Sequence, residues 1–195
     1  MYDRRPSLWI EPKGSWGKGA VQLVELPTAD ETHDNIVAFW NPATKFQPGS
    51  ELLFSYRMYW ATQAPKSSPL ARVMATRTGI GGVVGQPRRY YSGRFVIDFE
   101  GGELATVLPG ATVEPVITAS RGQVEIASAR PLLQIDGFRA MFDLKLTDDS
   151  TDPVDLRLFL RKNGQPLTET WLYQWVPPAP HERRAALVAA GARLE

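Results

Sequence analysis

Apolar side chains recur with a period of two along most of this chain. In the run 20–26, Val21 and Leu23 share one face while Gln22, Val24 and Leu26 share the other. A second apolar run, 36–40, is closed by Asn41-Pro42. Over 51–62, Leu53, Ser55, Arg57 and Tyr59 alternate with Leu52, Phe54, Tyr56, Met58 and Trp60. That puts the large apolar side chains on one face, as a half-buried strand requires. The same reading predicts strands over 70–77, 94–99, 112–120, 123–135, 140–147, 154–161 and 168–176. The run 154–161 is the cleanest, with Leu156, Leu158 and Leu160 inward and Asp155, Arg157, Phe159 and Arg161 outward.

Turn signals separate the runs: Gly101-Gly102, Pro109-Gly110, Arg121-Gly122, Asp136-Gly137 and Asn163-Gly164. Short strands at close intervals, with no helical period between them, predict an all-β sandwich and not a βαβ sheet. One helix is expected. His181 to Ala190 is rich in Ala and Arg, follows Pro177-Pro178-Ala179-Pro180 and stops at Gly191. It reads as a frayed tail helix outside the core.

A seam falls near 45–49. The stretch 46–176 makes a self-consistent sandwich, whereas 1–45 has two strand-like runs, too few for a stable unit. The expectation is that 1–45 completes a larger, mostly absent domain and that 177–195 is a tail. Leu194-Glu195 reads as a cloning scar, Met1 as an added initiator and the whole as an excised piece.

Composition removes several classes of function. Among 195 residues, 22 Lys and Arg against 21 Asp and Glu leave a formal charge of +1, which argues against nucleic-acid binding by bulk charge. The chain has no cysteine, so disulfides, thiolate nucleophiles, thiolate zinc sites and iron–sulfur clusters are excluded. No apolar run approaches a membrane span, and no hydrophobic segment follows the first residues as a signal peptide requires.

The candidate chemistry centres on Asp30-Glu31-Thr32-His33-Asp34-Asn35. Crowded carboxylates raise one another's pKa, which suits a general acid, and glycoside hydrolysis needs a protonated carboxyl opposite a second carboxylate. The same spacing is also that of a solvated acidic loop tip. A metal held by His33 with Asp30 or Asp34 has no supporting motif, and no metal or other cofactor is expected.

Trp9, Trp16 and Trp40 are a second group, suited to stacking on sugar rings and equally to core packing. Trp16 lies in the glycine-rich stretch 13–19, which lacks the spacing and following helix of a phosphate loop. Gly79 to Gly85 fails the dinucleotide pattern. Arg88-Arg89-Tyr90-Tyr91 mixes cations with aromatics but, in a neutral chain, reads as a domain-interface or solvated patch. Asp148-x-Ser150-x-Asp152 lacks the glycine and distal glutamate of a calcium loop and reads as a turn.

Three stretches carry a family resemblance: Tyr2-Asp3-Arg4-Arg5-Pro6-Ser7-Leu8-Trp9-Ile10-Glu11-Pro12, then Gly14-Ser15-Trp16-Gly17-Lys18-Gly19, then Leu26 to Trp40. They resemble the periplasmic glucan biosynthesis protein G/D family. The likeness continues through Thr78 to Gly82 and Arg94 to Phe99 to Trp171-Leu172-Tyr173-Gln174-Trp175, and so covers roughly residues 2–176.

That resemblance implies a large β-sandwich followed by a small immunoglobulin-like one. Here 1–45 would be the last stretch of the former and 46–176 the latter. It implies a periplasmic protein acting on osmoregulated glucans with a β-1,2-linked backbone. Some members are similar to inverting β-1,2-glucanases, whose general acid is the Asp of a Glu-Thr-x-Asp stretch. It maps onto Asp34, with Glu31 three residues before it and His33 where Asn is expected. The general base lies in sequence this chain lacks, so cleavage is not expected of this chain alone. Asp34 and Glu31 are therefore the catalytic candidates, with Trp16, Trp40 and Asp30 as substrate-binding ones. The alternative is a non-catalytic immunoglobulin-like module that docks to glucan or to the membrane glucan synthase.

Overall fold

The computed structural model describes residues 5–28, 34–66, 68–107 and 111–191. The backbone divides into two compact units, Met1–Ser67 and Ser68–Glu195. The first holds β1 (Ser7–Lys13), β2 (Gly19–Glu25), β3 (Ile36–Pro42) and β4 (Ser55–Ala61). These form two antiparallel ribbons, β1 with β4 and β2 with β3.

Two expectations change here. The alternation did not predict β1, because Pro6 and Pro12 interrupt its apolar pattern. Pro12 is tolerated because, among the described residues, β1 pairs on one side only, with β4. The alternation places the run 51–62 with the sandwich, but its strand pairs with β1 in the register Trp9↔Tyr59 and Glu11↔Arg57. The compact units of the backbone meet at Ser67/Ser68. Period-two patterning says which face of a strand is apolar and nothing about which strand it bonds to.

The second unit contains β5 (Arg72–Ile80), β6 (Ser92–Glu100), β7 (Glu114–Ala119), β8 (Gln123–Leu132), β9 (Gly137–Lys145), β10 (Val154–Lys162), β11 (Gln165–Pro166), β12 (Trp171–Trp175) and α1 (Pro180–Ala189). One sheet runs β5-β6-β9-β8; the other has β10 at its centre, flanked by β7, β12 and the short β11. The fold is all-β and sandwich-like, with one short C-terminal helix.

Its core lies between the sheets. Phe95, Ile97 and Phe99 of β6 and Phe142 and Leu144 of β9 face Leu156, Leu158 and Leu160 of β10, all essentially excluded from solvent. The inward leucines of β10 are those its alternation predicted, with Asp155, Arg157 and Arg161 exposed. Phe95 and Phe142 are register partners whose rings stack at 5.0 Å. Trp171 tilts against Phe95 at 6.2 Å, and its indole N–H donates to Thr76 Oγ1 at 2.9 Å.

The Asn163-Gly164 signal is a hairpin turn, with φ of 51° and 80° at the two residues, the left-handed pair a type I′ turn needs. The strand expected over 123–135 ends at Leu132, where a 3-10 turn takes Leu133–Ile135 into Asp136 at φ 47°.

The tail helix is not frayed. Arg183 and Leu187 of α1 are buried. The Arg183 guanidinium donates to the carbonyls of Pro178 at 2.6 Å, Asp148 at 3.0 Å and Ser150 at 2.6 Å. Composition showed a helix; the docking contact lies with carbonyls of a distant loop that no local pattern reveals. No helix among the described residues is long and apolar enough to cross a membrane.

Candidate functional site

The β2–β3 hairpin carries the acidic stretch. The two ends of its loop are clamped: the Leu26 N–H donates to the Asn35 carbonyl at 2.8 Å, and Asn35 Nδ2 returns a bond to the Leu26 carbonyl at 2.8 Å. Asp34 sits beside this clamp, exposed to solvent, one residue before Asn35. The anchored position is its neighbour Asn35. Asp30, Glu31 and His33 lie outside the described residues, as do the carboxylate pairing and the metal alternative that involve them.

Trp16 and Trp40 come together. Their rings meet edge to face at 6.0 Å, and Trp16 also packs on Phe54 at 5.1 Å and Tyr56 at 6.1 Å. The Trp16 indole N–H donates to the Ser55 carbonyl at 3.0 Å. Trp16 thus ties the β2–β3 ribbon to the segment entering β4, and both tryptophans are half-buried. Gly19 makes room for this cluster. A Cβ there would stand 2.6 Å from the Trp40 ring and 2.5 Å from the Asn41 carbonyl. The Trp40 indole nitrogen is buried with no hydrogen-bond partner among the described residues, a costly state for a donor.

Asp34 precedes β3, and Trp40 lies near its far end. At ~3.3 Å per residue along a strand, six residues separate them by ~20 Å. Asp34 and the tryptophan pair therefore occupy opposite ends of one strand and do not contact a single sugar ring together.

A set of residues lies on the β1–β4 ribbon, of which the sequence singles out only Trp9 as a candidate. Trp9, Glu11 and Lys13 share one face with Tyr59 and Arg57 through the strand register. Glu11 accepts a hydrogen bond from the Tyr59 hydroxyl at 2.9 Å and pairs with Lys13 at 2.9 Å. The Arg57 guanidinium donates to the same Tyr59 oxygen at 3.4 Å. Lys13, then Tyr59, hold the Glu11 carboxyl below its ordinary value. A cleft of about 370 Å³ opens over Trp9, Glu11, Tyr59 and Lys66. An aromatic wall beside an ionised carboxylate and a hydroxyl can contact a sugar ring and its hydroxyls. The signal was present in the alternation of Arg57 and Tyr59, but without β1 as the partner strand their opposite residues were not identifiable.

Residues 1–175 match the family model described as "Periplasmic glucan biosynthesis protein, MdoG". Glucans biosynthesis protein D of Xanthomonas axonopodis pv. citri is 63% identical to this chain over 186 residues, covering 94% of the chain and 35% of that protein. The probable glucans biosynthesis protein D of Shewanella oneidensis is 63% identical over 183 residues, covering 94% and 34%. Glucans biosynthesis protein D of Stenotrophomonas maltophilia is 62% identical over 178 residues, covering 91% and 33%. The chain spans about a third of the length of the curated relatives it matches.

Proposed function

This chain belongs to the periplasmic glucan biosynthesis family, and from that premise we propose that it is part of a longer periplasmic protein that makes or modifies osmoregulated β-1,2-glucans. In that protein Asp34 donates the proton to the leaving glucosyl oxygen, and Glu31 holds or polarises it. The observation that supports the assignment is the exposed Asp34 residue beside the Leu26–Asn35 clamp. A general acid must face substrate, and its backbone must not move when substrate binds.

Inverting hydrolysis also needs a second carboxylate ~6.5–9.5 Å from the acid, with a water between. By the resemblance that base belongs to the preceding part of the longer protein, so this chain alone does not cleave glucan. The two ribbons of the first unit are, on this reading, the closing strands of the large domain. Leu23, Phe39, Met58 and Trp60, exposed here, would then be covered by it. The second unit is the small immunoglobulin-like sandwich.

The test is product analysis on the full-length protein with linear β-1,2-glucan. Asp34→Asn is expected to abolish cleavage while the far-UV spectrum and melting temperature stay unchanged. Undiminished hydrolysis by that variant overturns the acid assignment.

A further inference from the structure

We propose that a pocket in the second unit, lined by the 82–92 loop and the bulge of β8, is a separate saccharide site that holds a neutral glucan segment. The inference rests on the glucan reading above but concerns different residues. The pocket encloses about 390 Å³, within the ~300–1,000 Å³ typical of small-molecule clefts. A polyol needs donors and acceptors together with apolar surface for its C–H faces, and the lining supplies all three. Val83, Pro87 and Ile126 are apolar, Arg88 and Arg89 donate, and Glu125 accepts. Tyr90 is 44% exposed, with Lys145 Nζ 4.0 Å over its ring.

The pocket is built, not incidental. Its floor is Asp143, wholly buried, which accepts from Arg94 Nε at 2.7 Å and Nη2 at 2.9 Å and from the Gly82 N–H at 2.7 Å. The floor charge is therefore already neutralised. Arg88 is fixed by donating to the carbonyls of Gly81 at 2.7 Å and Ala190 at 3.2 Å. Gly81 has no room for a side chain, since a Cβ would lie 2.6 Å from Asp143 Oδ2.

The opposite wall is strained. Ile126 adopts φ 49° where the β8–β9 register breaks between Glu125 and Ser128. A β-branched residue there is an outlier, and bulges of this kind re-aim side chains at functional sites. Here Glu125 accepts the Tyr90 hydroxyl at 2.8 Å. Arg89 is exposed and makes no hydrogen bond or ion pair among the described residues, so its guanidinium is available to a ligand. The Glu125 carboxylate in the same lining as the arginines disfavours a phosphate and suits an uncharged polyol.

The test is amide NMR of the 195-residue chain titrated with a linear β-1,2-glucooligosaccharide and, separately, with inorganic phosphate. Saturable shifts at Gly82, Arg88, Arg89, Tyr90, Glu125 and Ile126 with the oligosaccharide are expected. Arg89→Ala, which removes no hydrogen bond or ion pair among the described residues, should weaken them about ten-fold, the loss of a charge-assisted hydrogen bond or two. Silence at these residues, shifts with phosphate alone, or full binding by Arg89→Ala each overturns the proposal. Cleavage is read on the full-length protein and this binding on named amides. Lost cleavage in Asp34→Asn with a silent pocket therefore defeats the pocket alone, and the reverse result defeats the acid assignment alone.

Discussion

Arg94 and Asp143 are direct register partners across β6 and β9, and the fork of the one closes on both oxygens of the other. The carboxylate is wholly buried and the arginine side chain largely so, with exposures of 0% and 18%. The pair sits at the end of the sheet where the chain leaves β5, and it fastens that crossing loop twice. Asp143 takes the Gly82 N–H, and Arg94 Nη2 donates to the Gly82 carbonyl at 2.7 Å. A buried ion pair of this kind positions a loop more than it adds net stability.

Asp143→Asn is expected to destabilise the second unit by about 3 kcal/mol, because it leaves the Arg94 charge buried without a counter-charge. In a unit of this size that corresponds to a fall in melting temperature of roughly 10 °C, measurable by calorimetry. Arg94→Lys keeps the charge but loses the fork and should cost less. A melting temperature unchanged in Asp143→Asn would show that the pair is dispensable.

Acid sensitivity should trace to Asp98. Its carboxylate, 4% exposed, accepts from Arg139 Nε at 2.6 Å and Nη2 at 2.9 Å and from Arg77 Nη1 at 2.6 Å. Arg139 foremost, then Arg77, hold its pKa below the ordinary value against the opposing effect of burial. A depressed folded pKa means the unfolded chain takes up the proton first. The stabilisation is therefore complete above about pH 5, shrinks as the pH falls past the unfolded value near ~4, and is gone below the folded one. Urea unfolding between pH 2 and 6 should show this slope, and Asp98→Asn should flatten it. An unaltered slope in the variant would assign the acid sensitivity elsewhere.

Docking of α1 should depend on Arg183. Its three carbonyl partners belong to the helix approach and to the 148–150 loop, so Arg183→Ala removes the bridge between them. Hydrogen exchange of the α1 amides is expected to speed about 30-fold, equivalent to ~2 kcal/mol for bonds to a charged donor. Exchange in β6 and β9 should not change. If α1 retained full protection, Leu187 would be its main anchor instead.

The clearest sequence signals were local ones. In β10, leucines at every second position bury themselves wherever an apolar layer exists to receive them, so their inward face needed no partner to be read. Asn163-Gly164 is equally self-contained, since the turn it makes depends on the left-handed tolerance of those two residues. The family stretches around Trp9, Trp16 and Asp34 are likewise read one residue at a time. Against this, the prolines hide β1, and the alternation of β4 does not show that its bonds run to β1. The 82–92 pocket showed only as a basic-aromatic cluster, because Asp143, Glu125 and Ile126 reach it from strands 30 to 60 residues away.

The amino-acid order alone determined the all-β character, the inward leucines of β10, the turn at 163–164, the terminal helix and the family, for each depends on the side chains of neighbouring residues. Tertiary structure alone decided which strands bond, where the two units divide, that α1 is held down, and that Trp16 spends its indole on Trp40 and Ser55. Those outcomes depend on hydrogen-bond partners and charges brought together from distant positions. A period of two leaves open where on the chain such partners lie.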